Sequence, residues 1–138
     1  MLAALLVLTP APGAATAQVT PGPGEQLTRW HLPFPTDGSK LPAVGRRARR
    51  LRIQFGVGVC NPSRPTSEQI SRIVVERRAK GVIITVVTRP EVVPAYAICP
   101  AIAKLITRTV SLRGRLGRRS IGDGSFTPPR RVVKAPKR

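Results

Sequence analysis

Few residues in this 138-residue chain are of types that do chemistry: there are two cysteines, one histidine and six carboxylates. A hydrolase needs a nucleophile, a base and a group that orients the base. The lone histidine, His31, lies in a proline-rich segment before the first strand-like run, where a surface histidine is the favoured interpretation. The histidine therefore does not point to nucleophilic catalysis.

The carboxylates do not form the facing pair that general acid–base catalysis requires. Four of them lie in the predicted domain, at Glu68, Glu76, Glu91 and Asp123, and each has another role open to it. Glu76 can pair with neighbouring arginines across a hairpin, and Asp123 lies between glycines, as is typical of a turn. The glycines at 56–58 lack the third glycine of a dinucleotide-binding fingerprint. We predict a protein that is not an enzyme and has no cofactor.

Cys60 and Cys99 are consistent with a disulfide, a metal site or two reduced core residues. Two cysteines and the distant His31 do not complete the four-ligand set of a structural zinc site, so we expect no metal. Two cysteines in an exported chain usually pair, whereas cytosolic cysteines are more often reduced. A bridge between them would stabilise the fold by about 3–4 kcal/mol on the chain-entropy model.

The N-terminus favours export. The first 17 residues carry no charge, residues 2–8 are apolar, and Ala15 and Ala17 fit the signal-peptidase site before Gln18. The apolar run is shorter than the roughly 20 residues that span a bilayer, so we expect no transmembrane segment. We predict a signal peptide at 1–17 and a secreted or envelope-associated protein. Because a positive n-region is missing, a misplaced start or an apolar terminus that is not a signal stays open.

Arginine dominates the charge of the chain, which has 24 basic and six acidic residues and a net charge of +18. Arginine binds phosphate through two hydrogen bonds and stays charged at any relevant pH, so a polyanionic partner explains this composition. A G+C-rich coding sequence is the other explanation. The basic residues cluster at 46–50, at 113–119 and at 130–138.

The sharpest candidate site is the arginine-rich loop with two glycines that contains Arg113, Arg115, Arg118 and Arg119. Guanidinium groups and backbone N–H groups of such a loop can converge on a phosphate or sulfate. The alternative is a solvated turn whose charges point outward.

Two kinds of partner fit this charge. One is an anionic envelope polymer or lipid headgroup, bound non-specifically by an exported, monomeric module. The other is nucleic acid, bound by a basic protein that never leaves the cytoplasm. Nucleic-acid stacking needs aromatic residues, and the chain has one Trp, one Tyr and three Phe, which favours the envelope partner.

Strand-like runs would position these residues. Residues 51–59 alternate between apolar and polar or glycine positions with a period of two. Residues 73–77 and 82–88 are rich in β-branched side chains and flank a short connection with a glycine, as in a β-hairpin. Residues 105–112 form a fourth run with Arg108 on its apolar face, and residues 119–121 favour a short edge strand.

We therefore predict a mainly β fold, a small antiparallel sheet or sandwich of four to five strands with one disulfide and disordered flanks. The domain is expected at 51–125, after a Pro/Gly-rich and basic linker at 18–50 and before a basic disordered tail at 126–138. The cluster around Trp30 either packs on the domain as an arm or forms a short binding motif. A domain this small buries only about 60% of its unfolded surface, so the disulfide is needed as a staple.

Short motifs in the predicted domain carry a resemblance to a known family. They are Val57-Gly58-Val59-Cys60, Ile83-Ile84-Thr85-Val86, Cys99-Pro100-Ala101-Ile102-Ala103, Thr109-Val110-Ser111-Leu112 and the run from Leu116 to Gly124. In these motifs, which cover roughly half of the chain, it resembles small exported actinobacterial proteins of unassigned function that share a paired-cysteine β domain. In relatives, proline generally precedes the Leu-Gly step and aspartate generally follows it, where this chain has Arg115 and Arg118. The resemblance implies export and paired cysteines, and it implies no activity.

Overall fold

A computed structural model describes residues 18–40, 43–60, 63–93, 98–99 and 102–137, and the predicted signal peptide at 1–17 lies outside them. The described residues form seven β-strands and one short 3-10 helix. The strands are β1 (Gln26–Thr28), β2 (Arg50–Val59), β3 (Ile70–Arg77), β4 (Gly81–Thr88), β5 (Ile102–Ser111), β6 (Ser120–Asp123) and β7 (Arg130–Val133), and the 3-10 helix is Thr66–Gln69. The predicted mainly β class is confirmed, with more strands than the expected four to five.

β4 organises the larger of two sheets because it pairs with three other strands. β3 runs antiparallel along one edge of β4. The other edge is shared, with β1 antiparallel to residues 86–88 and β6 parallel to residues 81–84. β7 extends this sheet by antiparallel pairing with β6. The parallel β4–β6 pair departs from the predicted antiparallel arrangement, because β6 reaches β4 only after the chain has crossed to the other sheet through β5.

The smaller sheet contains β2 and β5, which are antiparallel from the Arg50/Ser111 pair to the Val59/Ile102 pair. β2 alternates buried and solvent-facing residues as predicted, and its five apolar side chains lie in the core. Inward-facing residues of β4 belong to the same core, so the two sheets form a sandwich. Burying one such side chain contributes roughly 1.5–3 kcal/mol, and the alternation therefore fixes which face of β2 points inward.

The segment 18–50, predicted as a linker, contains a strand and a core residue. β1 pairs with the C-terminal half of β4. Trp30 is 4% exposed, and its Nε1–H donates to the carbonyl of Ile84 at 2.9 Å. His31 exchanges two backbone hydrogen bonds with Gln54 of β2, at 2.8 and 2.9 Å. The segment around Trp30 is thus an arm that joins the two sheets. A strand of three residues is too short to show a period, so the prolines and glycines of this segment favoured the prediction of a linker.

The tail at 126–138, predicted to be disordered, also contains a strand. β7 pairs with β6, and Val133 is 9% exposed and belongs to the core. Arg130 lies over the ring of Phe126 at 5.5 Å, and Arg29 of the arm lies over the same ring at 4.7 Å. Its two valines lie in or against the core and hold this segment on the domain. Two apolar residues among basic ones are too short a pattern to predict a strand.

The predicted disulfide between Cys60 and Cys99 is confirmed. Cys60 directly follows β2, and Cys99 lies shortly before β5. Because Val59 and Ile102 are register partners, the bridge joins the two strands of the smaller sheet at the end where their pairing stops. The loop that it closes, with a sequence separation of 39, includes β3 and β4.

Glu25 attaches the arm to the larger sheet. Its carboxylate accepts hydrogen bonds from the Ser71 hydroxyl, from the Gly22 N–H at 2.9 Å and from the Arg72 guanidinium at 2.7 Å. Arg89 lies 3.5 Å from the same carboxylate. The hydrogen bonds from Ser71, Gly22 and Arg72, with that from Ser71 as the largest, outweigh partial burial and lower the pKa of Glu25 from 4.5 to about 2.

The lowered pKa predicts a loss of stability in acid. Because the folded pKa lies below the unfolded one, ionised Glu25 stabilises the fold fully above about pH 4.5, and this contribution is lost as the pH falls toward about 2. Glu25→Gln removes the contribution. Urea unfolding, followed by the fluorescence of the single Trp, is expected to show a larger fall in unfolding free energy between about pH 6 and about pH 2.5 in the natural chain than in Glu25→Gln. Equal falls would contradict the role of Glu25.

Candidate anion-binding site

Two arginine runs that are far apart in sequence meet at one end of the sandwich. The N–H of Leu112 donates to the carbonyl of Arg49, and the N–H of Gly117 donates to that of Arg46, both at 2.8 Å. Antiparallel pairing of β2 with β5 brings this about, because it places the start of one strand beside the end of the other. We call the exposed arginines of this surface the arginine patch: Arg46, Arg47, Arg49, Arg50, Arg113, Arg115 and Arg118.

The loop between β5 and β6 exposes Arg113, Arg115 and Arg118 because its leucines point inward. Leu112 and Leu116 are both 0% exposed and belong to the core. Arg113 has a φ of 57° and Gly114 a φ of 139°, in the region that favours glycine. A Cβ added at Gly114 would also lie 3.4 Å from the guanidinium carbon of Arg77. The loop therefore has a defined shape in which apolar anchors alternate with outward charges.

Two half-buried arginines hold this loop from within. Arg77 donates to the carbonyl of Leu112 at 3.1 Å and to the carbonyl of Arg115. Arg119 donates through Nε to the carbonyl of Arg78 at 2.9 Å. Hydrogen bonds that involve a charged group contribute about 1.5–3 kcal/mol each. Arg77 and Arg119 are therefore positioning residues for the patch.

No carboxylate forms an ion pair with the arginine patch within the ranges that the structure describes. Glu25, Glu68 and Glu91 form their ion pairs with arginines near the disulfide end of the sandwich. Glu76 pairs with Arg78 at 2.7 Å, and this hydrogen bond lowers the pKa of the Glu76 carboxyl. The patch is thus a concentration of like charge, which attracts anions.

The predicted anion-binding arginines fall into two groups. Arg113, Arg115 and Arg118 are exposed and belong to the patch, whereas Arg119 donates into the protein. The sequence also predicts that backbone N–H groups of the loop contact the anion. In the structure, the N–H groups of two loop residues donate instead to carbonyls of residues 46–48. The loop therefore presents guanidinium groups to an anion.

The sequence prediction places residues 46–50 in a linker and so misses their contact with this loop. The sequence does contain a signal for that contact. The two runs directly flank residues 51–59 and 105–112, which are both strand-like, and antiparallel neighbours bring such flanks together.

The other candidates for chemistry have structural partners. His31 hydrogen-bonds through Nδ1 to the carbonyl of Leu32 at 2.8 Å. Asp123 is 1% exposed and accepts the backbone N–H of Trp30 at 3.2 Å and that of Ser125 at 2.8 Å. The described part of the chain contains no group of three or more His, Cys, Asp or Glu residues that could hold a metal ion.

Among the described residues, no helix has the length and apolar character needed to cross a membrane. No family model, curated protein or solved structure matches the chain. The resemblance to small exported actinobacterial proteins stays a prediction. Fold and site define the class: a disulfide-linked β-sandwich with an arginine-rich end.

Arg118→Gln and Arg119→Gln remove the same charge at neighbouring positions, and we expect them to differ in stability. Arg119→Gln loses the hydrogen bond to the Arg78 carbonyl and lowers the free energy of unfolding by about 1.5–3 kcal/mol. Arg118 is exposed, so Arg118→Gln is expected to change the free energy of unfolding by less than about 0.5 kcal/mol. Urea unfolding of both variants checks this, and equal values would show that Arg119 does not position the loop.

Proposed function

We propose that this chain is an exported, non-enzymatic module that associates with anionic polymers of the cell envelope through the arginine patch. One observation carries the proposal. Two arginine runs converge on a single surface, and no carboxylate of the described chain pairs with them there. Each run contributes at least three exposed guanidinium groups to one extended anionic ligand.

The patch suits a ligand that repeats its charge. Each guanidinium group can form two parallel hydrogen bonds with a phosphate or carboxylate. A single exposed charge pair contributes only about 0–1 kcal/mol, so useful affinity needs several contacts at once. A polymer supplies them at high effective concentration. The entropic cost of binding is lower for this loop, because Leu112, Leu116 and Arg77 already fix its backbone before a ligand binds.

Two observations favour the envelope polymer over nucleic acid. Single-stranded nucleic acid is bound by stacking on exposed aromatic rings. Among the described aromatic residues, Trp30 and Phe55 are buried and Phe126 lies under two arginines outside the patch. Phe34 is exposed beside His31 in the arm, and one such ring does not make a row of stacking positions. The disulfide is also compatible with an extracytoplasmic location.

Salt dependence tests the proposal. We expect binding of the disulfide-intact chain to a glycerol-phosphate polymer to weaken steeply between about 50 and 200 mM salt, with a log–log slope of about 0.7 for each phosphate contact. The variant with Arg47→Gln and Arg118→Gln is expected to lose about two contacts, and its slope falls by about 1.4. The matched control, Arg64→Gln with Arg89→Gln, removes the same charge at the disulfide end and is expected to keep the slope. Equilibrium binding by fluorescence anisotropy measures all three.

Four outcomes would overturn the proposal. Binding that salt does not change would exclude an electrostatic site. Equal losses in the two double variants would show that net charge acts without the patch. Binding to single-stranded DNA at least about tenfold tighter than to the polymer would favour the nucleic-acid alternative. Anionic lipid vesicles form a further arm, and a preference for them over the polymer would reassign the envelope ligand to lipid headgroups and contradict the polymer proposal.

A further inference from the structure

β5 has a free edge within the described part of the sandwich, where it pairs only with β2. The N–H and C=O of Gln54 both bond to His31, on the edge of β2 away from β5. Gln54 and Thr107 are register partners, so the backbone groups of Thr107 point away from β2 as well. The period of two extends this orientation to other residues of β5. They are Ala103, Leu105 and Thr109.

A groove of about 390 Å³ runs beside this edge. Ile73 and Val75 of β3 form one wall, and residues 109–111 of β5 with Arg113 form the other. The hydrogen bond from Arg77 to the Leu112 carbonyl links the two walls near the arginine patch. An extended segment in this groove would meet backbone donors and acceptors on one side and apolar side chains on the other.

Arg108 indicates that such a segment should carry negative charge. Its register partner is the buried Ile53, so its side chain lies on the inward face of β5. The half-buried guanidinium donates to the Thr107 carbonyl at 3.2 Å, and no carboxylate in the described ranges forms an ion pair with it. A carboxylate is the strongest partner for a guanidinium group in such surroundings. The inward face alternates basic residues 104 and 108 with apolar residues 106 and 110.

We propose that the free edge of β5 binds an extended acidic segment of another protein by strand addition. On one face of the added strand, carboxylate side chains lie beside Arg108 and alternate with apolar side chains beside Ile106 and Val110. A second copy of this chain does not fit, because its net charge is +18 and pairing two β5 strands would bring like charges together. The groove adjoins the arginine patch at Arg113 and differs from the patch in what it binds, since strand addition requires a peptide backbone.

A synthetic peptide of about ten residues tests the proposal, with glutamate and valine alternating on one face and threonine on the other. We expect it to bind the disulfide-intact chain at least about tenfold more tightly than a scrambled peptide of the same composition. N-methylation of the amides that face β5 should abolish binding, whereas N-methylation on the opposite edge should not. Equal binding of the scrambled or edge-methylated peptides would show charge attraction without strand addition and overturn the proposal.

Two charge reversals on β2 and β5 locate the site. Arg108→Glu is expected to weaken peptide binding at least about tenfold, and Arg52→Glu, which has the same charge change on the outer face, less than about twofold. Amide exchange in the natural chain gives a readout that does not depend on whether a variant folds. The amides of Leu105, Thr107 and Thr109 should exchange fast without peptide and slowly with it.

A protective role for Arg108 is the opposing account, since inward charges on edge strands also prevent edge-to-edge association. Under that account, Arg108→Thr would make the chain self-associate, and no alternating peptide would bind or slow exchange at the β5 edge. That pair of results would overturn the proposal. Saturable peptide binding with slowed exchange at Leu105, Thr107 and Thr109 would support it.

Discussion

The pairing of β2 with β5 is the constraint on which the rest of the structure depends. It turns the apolar side chains of both strands toward the larger sheet and so creates one wall of the core. It brings Cys60 and Cys99 together at one end and the two arginine runs together at the other. It also leaves the far edge of β5 without a partner strand among the described residues. The antiparallel register of β2 and β5 thus determines the position of the disulfide, of the candidate anion site and of the candidate docking edge.

Arginine has two separate roles in this fold, and burial distinguishes them. Half-buried Arg77 and Arg119 donate to backbone carbonyls and hold the loop between β5 and β6 in shape. The exposed arginines beside them have no carboxylate partner in the described chain and remain available to a ligand. Sequence alone does not separate adjacent Arg118 and Arg119, because their difference arises from the turn that orients them.

The sequence predicted the elements whose signal is local. The alternation at 51–59, the hairpin of β3 and β4 and the inward position of Arg108 follow from periodicity and turn composition. β1 and β7 were missed because each has only three or four residues and is held by pairing with distant strands. The cysteine pair was predictable from chemistry, whereas the junction of the two arginine runs required the register of β2 and β5.

That junction is the central claim, and amide hydrogen exchange tests it directly. The N–H groups of Leu112, Leu116 and Gly117 donate to carbonyls of residues 46–49, so they should be protected in the native chain at neutral pH. The amide of the exposed Arg118 provides an internal reference. Strong protection of all three, with fast exchange at Arg118, is the predicted result. Exchange at Leu116 and Gly117 as fast as in an unfolded peptide would show that the two arginine runs do not meet.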